Sequence, residues 1–338
     1  MFNSPSNSPI ISIILPVYNG EPFINEAIES ILNQVFKDFE LIIVNDASTD
    51  NTEKIINEYA QKDNRIRIIT NEVNKKLPAS LNIGHKAARG KWLTWTSDDN
   101  IVRKKYLIEL YNAILKSGAD IVFSDFTILG FDNTTRKKIS GPIENLLFGN
   151  TIGASFLYHK EVFEQLRGYD EELFSVEDYD FWLRAALNFK FHHLKKDLYI
   201  YRRHEGSIST SVNTKKRDFF IRQVNNMYKK LGIQLNLNDN TINFLSDIHL
   251  SHPIDIKNYV RNEHIIWNDL KHVTLNGISC CTLKKIRDLV KINWLKNKEQ
   301  QSINTFLYAL LYKPGIFLQI RNKRDIILSL KLLLKNII

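Results

Sequence analysis

The sequence has little cysteine, and several other absences narrow the kind of protein that it encodes. Its only two cysteines, Cys280 and Cys281, are adjacent, so they cannot form a disulfide framework, which suits a reducing compartment. Residues 1–10 have neither a basic region nor an apolar core, so no signal peptide is expected. No run reaches the roughly 18 uninterrupted apolar residues of a membrane-spanning helix. These absences predict a cytoplasmic protein, in solution or attached to a membrane surface.

Two common nucleotide-binding signatures are also missing. There is no GxGxxG motif, so a dinucleotide-binding fold is not indicated. The stretch GHKAARGKW, residues 84–92, superficially resembles a phosphate-binding loop. It has five residues between its glycines instead of four, and it carries Trp92 where Ser or Thr is required. This stretch is therefore not interpreted as a phosphate-binding loop.

Positive charge is concentrated at the end of the chain. Residues 282–338 hold 12 Lys or Arg and 3 Asp or Glu, whereas residues 1–281 hold 34 of each kind. A neutral main body argues against nucleic-acid binding. A nucleic-acid-associated protein that uses the basic tail is a second reading. It is disfavoured because the basic residues of the tail alternate with long aliphatic side chains instead of polar and aromatic ones.

Short apolar runs alternate with amphipathic stretches over the first 130 residues. They predict buried strands with helices between them, at residues 10–18, 39–46, 65–70, 91–97 and 119–129. This alternation predicts right-handed βαβ units in an α/β fold, with a mostly parallel sheet flanked by helices. Beyond about residue 210 the pattern becomes helical. We therefore expect a first domain over residues 1–210 and a basic, helical C-terminal region over residues 211–338.

Polar residues follow three of the predicted strands. Pro16–Tyr18 end the first strand, Asn45 and Asp46 end the second, and Asp98 and Asp99 end the fourth. Ligands of parallel sheets bind at the carboxyl ends of the strands, so we expect the three carboxylates to converge at one edge. Two adjacent carboxylates at the end of a buried strand repel each other and lose solvation. A bound divalent cation would compensate for both effects.

Three segments together resemble the inverting glycosyltransferases of family 2, which have the GT-A fold. They are residues 10–52, 87–100 and 168–186, and the resemblance extends over roughly residues 10–210. It implies an enzyme that moves a hexosyl or N-acetylhexosaminyl group from a nucleotide diphosphate, usually uridine-linked, to an acceptor hydroxyl. It further implies a role in cell-surface polysaccharide or lipopolysaccharide synthesis, with a glycan or a lipid-linked molecule as acceptor.

The resemblance assigns nucleotide-binding roles to residues near the strand ends. Tyr18 would lie against the base, Asp46 would accept a hydrogen bond from a ring N–H, and Asp98 would contact the ribose. Lys76 follows the third predicted strand, where the family often has a basic residue near the nucleotide. The nucleotide-binding set is Pro16, Tyr18, Asp46, Lys76 and Asp98.

The resemblance also implies a metal ion and a catalytic base. Asp99 would hold Mn²⁺ or Mg²⁺, which neutralises the charge that develops on the leaving diphosphate. His204, which the resemblance does not assign, is a second candidate to reach the metal or a phosphate. Asp178, in SVEDYDFW, would remove the proton of the acceptor hydroxyl, and its neighbour Glu177 is the competing candidate. In-line attack by one activated hydroxyl inverts the anomeric centre, so the two separated carboxyl groups of a hydrolase are not required.

Each of these assignments has a structural alternative. Asp46 is placed to cap the helix that follows it, and residues 98–100 are placed to cap the next one. Residues 177–180 would complement the positive end of a helix. His204 lies in a loop, where a histidine is commonly just solvated. The convergence of the strand ends favours the ligand roles over the capping roles.

The resemblance departs at Thr96, where family members often carry a further aspartate. An alternative function follows from this departure. If Thr96 marks a lost metal site, the chain is a nucleotide-binding or degenerate transferase-like protein without turnover.

The tail of the chain combines apolar runs with flanking Lys and Arg, at residues 303–320 and 321–338. These runs are too short to span a bilayer but suit an anionic interface, which predicts peripheral attachment to the inner face of the cell membrane. The alternative is that the apolar faces pack on the protein or on a second subunit.

Overall fold

The computed structural model describes residues 8–207, 214–297, 308–309 and 311–316. It divides into two compact units. The first comprises the described residues up to Leu146 and from Asn150 to Gln223, and the second comprises Leu147–Gly149 and the described residues from Val224 onwards. Residues 317–338, which hold most of the tail predicted to attach to a membrane, lie outside the described residues. Within the described ranges, no helix has the length and apolarity needed to cross a bilayer.

Nine strands of the first unit form a single sheet. They are β1 (Ile11–Val17), β2 (Phe39–Asn45), β3 (Ile66–Thr70), β4 (Trp92–Trp95), β5 (Ile101–Val102), β6 (Ile121–Leu129), β7 (Thr135–Lys138), β8 (Phe156–His159) and β9 (Phe191–Arg202). Their order is β3-β2-β1-β4-β8-β6-β9-β5, and β7 pairs with β6. The four strands from β3 to β4 are parallel, as are β6 and β9. The predicted α/β fold with a mostly parallel sheet is confirmed.

Helices of the first unit cover the sheet. They are α1 (Ile24–Leu32), α2 (Thr52–Lys62), α3 (Leu77–Ala87), α4 (Tyr106–Ser117), α5 (Lys160–Gln165) and α6 (Glu177–Asn188), and α7 (Thr214–Leu235) leads out of the unit. Helix α1 buries Ile24, Ala27, Ile28 and Ile31, the spacing of one apolar helical face. Helix α4 stops at Gly118, whose φ of 62° is the left-handed conformation that glycine adopts without a steric penalty.

The pairing directions place six strand ends at one edge of the sheet. Strands β1 to β4 are parallel, and β6 is related to β4 through two antiparallel steps across β8, so it runs the same way. Strand β9 is parallel to β6. This edge, called the C-terminal edge below, therefore holds the ends of β1, β2, β3, β4, β6 and β9, at Val17, Asn45, Thr70, Trp95, Leu129 and Arg202.

A buried carboxylate ties the first three strands together near their opposite, N-terminal ends. Glu40 is only 2% exposed and accepts hydrogen bonds from Ser12 Oγ at 2.7 Å and Arg67 Nη1 at 2.8 Å. Arg89 adds its backbone N–H at 2.7 Å and its Nε at 3.0 Å. Burial raises the pKa of Glu40, but these hydrogen bonds outweigh burial and hold the pKa below its ordinary value.

The second unit is helical, as predicted. It contains the end of α7 together with α8 (Asp239–Leu250), α9 (Ile256–Leu270), α10 (Leu283–Lys296) and a hairpin of β10 (Thr274–Leu275) and β11 (Ile278–Ser279). Its buried carboxylate is Glu263, which accepts from Arg287 Nε at 2.7 Å and pairs with Lys313 Nζ at 2.9 Å. Although burial opposes it, this pairing lowers the pKa of Glu263 to about 2.

We expect Glu40→Gln to lower the free energy of unfolding by about 1.5–3 kcal/mol at pH 7, because charge-assisted hydrogen bonds are lost. The folded-state pKa of Glu40 is depressed, so its contribution is present above the unfolded value near 4.5 and is lost as the pH falls through the folded value. Urea unfolding at pH 7 and at pH 3 measures this difference. Exposed Glu53→Gln is the control; equal effects of the two substitutions at pH 7 would contradict the role of Glu40.

Candidate active site

The loops that follow β1 and β2 are joined at the C-terminal edge. The backbone N–H of Asn19 donates to Ser48 Oγ at 3.0 Å, and that of Gly20 donates to Thr52 Oγ1 at 2.9 Å. A β-carbon on Gly20 would lie 2.3 Å from Oδ2 of Asp98, so only glycine allows this loop to pack on the carboxylate. The first of the two adjacent aspartates is thus enclosed by a loop from another strand.

Asp98 carries an unfavourable charge in this position. Burial, and then the neighbouring charges of Asp99 and Asp50, raise the pKa of Asp98 to about 7. No hydrogen bond to its carboxylate from another described side chain offsets these effects. The side chain therefore takes up a proton near neutral pH unless a positive charge is supplied.

Asp99 meets His204, which is 105 residues later in the chain. Nε2 of His204 lies 3.0 Å from Oδ2 of Asp99. Arg202, at the end of β9, donates from Nε to the Asp99 carbonyl at 3.0 Å. The ring of Phe23 lies 4.6 Å from the His204 ring and 5.0 Å below the Arg202 guanidinium, so one aromatic side chain supports both residues. The structure thus brings together the two residues predicted to bind metal.

The other oxygen of Asp99 lacks a hydrogen-bond partner among the residues that the structure describes. Oδ1 is buried and accepts no hydrogen bond within the described part of the chain. Burial raises the pKa of Asp99, although the hydrogen bond and charge of His204 act in the opposite direction. Burying a carboxylate oxygen without a hydrogen-bond donor costs free energy. A bound cation would compensate for the missing hydrogen bond.

Asp99 and His204 fit a divalent cation whose coordination sphere is completed by substrate oxygens and water. No group of three or more His, Cys, Asp or Glu side chains placed to hold a metal occurs among the described residues. A Mg²⁺ or Mn²⁺ ion that binds with nucleotides commonly takes one or two protein ligands and fills its other positions with phosphate oxygens and water. Asp99 and His204 together meet that requirement.

Thr96, where the resemblance departs from the family pattern, is part of the core. Its side chain is 2% exposed and its Oγ1 lies 2.7 Å from the Tyr199 hydroxyl of β9. Tyr199 lies within electrostatic range of Asp99. The threonine thus has a structural role of its own, and its presence does not by itself indicate a lost metal site.

We expect Thr96→Asp to destabilise the protein more than Thr96→Val and to leave Mn²⁺ binding no tighter. Valine removes one hydrogen bond, which costs about 1 kcal/mol, whereas aspartate adds a third negative charge beside two buried ones. Thermal unfolding of both variants, with and without Mn²⁺, measures the difference. An aspartate variant as stable as the valine variant and with higher Mn²⁺ affinity would show that position 96 is a ligand position.

Asp46 organises the loop that follows β3 and does not cap α2. It is 4% exposed, and it accepts from Asn71 Nδ2 at 2.7 Å and from the backbone N–H groups of Lys75 and Lys76 at 2.8 and 2.9 Å. Helix α2 begins at Thr52 and has Asn51 as its N-cap residue. The capping alternative for Asp46 is therefore wrong.

The other predicted nucleotide-binding residues differ in accessibility. Tyr18 is 49% exposed, and the residue before it, Val17, accepts the backbone N–H of Asp46 at 2.8 Å. Pro16 is buried inside β1, opposite Val44, so the strand continues past the proline and ends at Val17. Lys76 is exposed and has a φ of 73°. Tyr18 and Lys76 thus have side chains that a ligand can reach, whereas the side chain of Pro16 is buried within β1.

Glu177 and Asp178 start α6 but have different surroundings. Asp178 Oδ1 accepts the backbone N–H of Tyr179 at 2.7 Å, and its Oδ2 accepts Nδ2 of Asn150 at 3.0 Å. Oε2 of Glu177 is buried and has no hydrogen-bond partner among the described residues. Burial raises the pKa of both, and the charge of Asp178 raises that of Glu177 further. The two hydrogen bonds to Asp178 therefore favour the negative charge there, whereas burial without a donor to Oε2 favours the proton on Glu177.

The segment before α6 is anchored to α3. Asn82 of α3 accepts the Tyr169 backbone N–H at 2.8 Å and donates to the Tyr169 carbonyl at 2.9 Å. The Tyr169 ring lies 6.5 Å from that of Trp95 at the end of β4, and Tyr169 is within electrostatic range of Asp178. The sequence reasoning missed Gly20, Phe23, Asn82, Asn150 and Tyr169. Only Gly20, just after the first predicted strand, carries a local signal that would have indicated it.

Comparison with known proteins agrees with this geometry. Residues 12–173 match the family model described as glycosyl transferase family 2. The chain is 33% identical over 220 residues to the uncharacterized glycosyltransferase EpsJ of Bacillus subtilis, covering 60% of this chain and 63% of that protein. It is 30% identical over 238 residues to an uncharacterized glycosyltransferase of Haemophilus influenzae, covering 67% of this chain and 92% of that protein.

Two similar solved structures share the fold at low sequence identity. S. aureus TarS in complex with UDP-GlcNAc has a TM-score of 0.58 at 19% identity and covers 86% of this chain and 87% of its own. The mannosyltransferase PcManGT of Pyrobaculum calidifontis, in complex with GDP-Man and Mn²⁺, has a TM-score of 0.51 at 13% identity and covers 99% and 89%.

The sheet topology and its similarity to these structures identify the GT-A fold. The chain belongs to glycosyltransferase family 2.

Proposed function

We propose that this protein transfers a sugar from a uridine diphosphate sugar to an acceptor hydroxyl, with inversion and with the help of Mn²⁺ or Mg²⁺. The observation that carries the proposal is the contact of Asp99 with His204 at the C-terminal edge, with a buried Asp99 oxygen left without a hydrogen-bond donor in the described chain. Ligands of α/β sheets bind at this edge. Residues 1–210 form the catalytic domain of the proposal.

Recognition of the base would involve Asp46 and Tyr18. The ring of Tyr18 is accessible for stacking, and Oδ2 of Asp46 accepts only the Lys76 N–H among the described residues, which leaves it capacity for a ring N–H of uracil. Lys76 and Pro16, the residue before the end of β1, would lie at the same site. The UDP-GlcNAc complex of TarS supports uridine and an N-acetylhexosamine as donor components.

The diphosphate would lie beside Asp98 and Asp99. Asp98 would contact the ribose, and Asp99 and His204 would hold the cation. When bound, the cation supplies positive charge that stabilises the leaving diphosphate. Arg202 lies against Asp99 and pairs with Glu26, which keeps its guanidinium beside the site.

Asp178 would act as the catalytic base. It bears the negative charge of its pair and is held by two hydrogen bonds, whereas Glu177 keeps a proton. A carboxylate that takes the acceptor proton during attack makes the hydroxyl an effective nucleophile. Attack on the face opposite the diphosphate inverts the anomeric centre, and one base is sufficient.

The acceptor would be a growing cell-surface glycan or a lipid-linked precursor. Residues 1–281 have no net charge, and the residues after them have an excess of nine positive charges. This distribution supports a cytoplasmic enzyme held at the inner face of the cell membrane by residues 211–338. The chain spans 63% of the length of the Bacillus relative, so this assignment is proposed for the present chain alone.

We expect UDP-sugars to raise the melting temperature only when Mn²⁺ or Mg²⁺ is present, because a true donor stabilises the fold by mass action, by about 2.7 kcal/mol at a hundredfold excess over Kd. Asp99→Ala should abolish the metal-dependent part of this shift, and Asp98→Ala should weaken it less. Thermal-shift screening of UDP-, GDP- and dTDP-sugars, followed by calorimetry of UDP with Mn²⁺, measures both effects.

Asp132→Ala is the matched control, because Asp132 is exposed in the loop between β6 and β7. Metal-independent UDP affinity that is equal in the Asp98 and Asp99 variants would mean that the aspartate pair holds no metal ion. A helix-cap role is excluded, because the N-cap residue of α4 is Lys105. The absence of any nucleotide-sugar shift in the wild-type protein would contradict the proposed function itself.

We expect Asp178→Asn to reduce transfer by about 100- to 10,000-fold while donor affinity stays nearly unchanged, since a general base contributes this much to rate. Glu177→Gln should retain most of the activity, because glutamine resembles the protonated carboxyl group that the buried site favours. Rates of sugar release and transfer, with NMR of the anomeric product, test both the base and the inversion. A dead Glu177→Gln beside an active Asp178→Asn would reverse the assignment.

A further inference from the structure

The catalytic base of the proposed reaction has one side-chain partner that the family resemblance does not assign. Nδ2 of Asn150 donates to Oδ2 of Asp178 at 3.0 Å. Asn150 is half-buried, lies 28 residues before Asp178, and belongs to a loop between the 3₁₀ helix Ile143–Phe148 and β8. Its amide and the Tyr179 backbone N–H engage the two oxygens of the carboxylate separately.

The other end of the Asn150 amide is also fixed. Its Oδ1 accepts the backbone N–H of Ile152 at 3.2 Å and that of Gly153 at 3.3 Å, which closes a turn on its own side chain. This arrangement decides which amide atom is which. The oxygen accepts from the loop, so the NH₂ group is the part that faces Asp178 and donates to it.

The loop itself has little freedom to move. Ser140 Oγ donates to the Ile152 carbonyl at 3.1 Å and to the Ser124 carbonyl at 2.8 Å, which ties the loop to β6. Gly153 has a φ of 76°, and a β-carbon there would lie 2.3 Å from Cε1 of Phe126. The Oδ1 end of the Asn150 side chain is therefore fixed by a loop that is tied to the sheet, and the Nδ2 end donates to Asp178.

We propose that Asn150 is a positioning residue of the transfer reaction, whose amide orients the Asp178 carboxylate and keeps it ionised, so that Asp178 and not Glu177 takes the acceptor proton. The inference rests on the proposed function. In the step concerned, the acceptor oxygen bonds to the anomeric carbon, the bond from that carbon to the diphosphate oxygen breaks, and its electron pair leaves with the diphosphate. The proton of the acceptor hydroxyl moves to Asp178.

The chemistry of an amide suits this role. A neutral NH₂ group donates at every pH and cannot take the proton itself, and a hydrogen bond to the charged form of a carboxyl group lowers its pKa. The titratable groups that face Asp178 are Glu177 beside it and Tyr169 from the preceding segment. Neither is positively charged, so within the described part of the chain Asn150 is the side chain that favours the ionised form.

Two substitutions distinguish the contribution of the amide oxygen from that of the amide NH₂ group. Asn150→Asp keeps an oxygen acceptor for the Ile152 and Gly153 N–H groups but removes the donor to Asp178 and adds a negative charge. Asn150→Ala removes both functions. Asn145→Ala, in the neighbouring 3₁₀ helix, is the matched control for an asparagine-to-alanine change outside this contact.

We expect kcat at pH 7 to fall about twofold in Asn150→Ala and about tenfold in Asn150→Asp. Raising the pKa of Asp178 from about 6 by one unit leaves about half of the carboxyl group ionised at pH 7, and raising it by two units leaves about one-tenth. The acidic limb of the kcat profile should move to higher pH, most in Asn150→Asp, and activity should partly recover at pH 9. KM for the donor should stay near its wild-type value in both variants. A merely structural role would instead lower kcat by the same factor at every pH.

A second readout does not require turnover. Carboxyl ¹³C NMR titration of Asp178, carried out in a Glu177→Gln background so that one group titrates, should give a higher pKa when Asn150 is replaced by aspartate or by alanine. An unchanged Asp178 pKa in both variants would overturn the inference. If the wild-type protein transfers no sugar from any nucleotide donor, the proposed function fails, while this titration still decides whether Asn150 controls the charge of Asp178.

Discussion

The free-energy cost of burying carboxylates is the main constraint on this structure. Buried carboxylates at the two ends of the parallel strands differ in whether hydrogen bonds compensate for that cost. Near the N-terminal ends, Glu40 has a serine hydroxyl and two arginines as partners, and its pKa is depressed. At the C-terminal edge, Asp98 is enclosed by Gly20 and its pKa is raised to about 7. Glu40, whose charge is balanced by its partners, stabilises the fold. The negative charge of Asp98 is not balanced in this way, and this lack of positive charge, called the charge deficit below, is one that a positively charged ligand could supply.

Hydrophobic periodicity was enough to predict the half of the sheet that carries this edge. Strands β1 to β4 and β6 are apolar runs between amphipathic stretches, so their pattern is visible in the sequence. Strand β9 was missed because it alternates irregularly and contains HHLKKD, and the short strands β5, β7 and β8 were missed as well. The contact between Asp99 and His204 depends on β9 being parallel to β6, so no local pattern could have predicted its geometry.

The choice between Glu177 and Asp178 shows a different limit of sequence reasoning. Two adjacent acids in the first turn of a helix have the same local environment by propensity and by dipole. Their difference arises from Asn150, from the Tyr179 backbone N–H, and from a Glu177 oxygen without a donor among the described residues. Asn150 itself lies in a turn closed by its own side chain, and such turns are outside any helix or strand periodicity.

The same charge deficit connects stability with ligand binding. Because the pKa values of Asp98 and Asp99 are raised, the ligand-free protein neutralises the edge with protons, and its stability from these groups decreases as the pH rises through the folded-state values. Under the proposed function, a divalent cation with its diphosphate would replace those protons, so binding would release protons and strengthen as the carboxylates ionise. A fully compensated edge, built like the site of Glu40, would make the fold more stable. It would also leave no unpaired oxygen for a cation, so the instability of this edge is the physical basis of its capacity to bind.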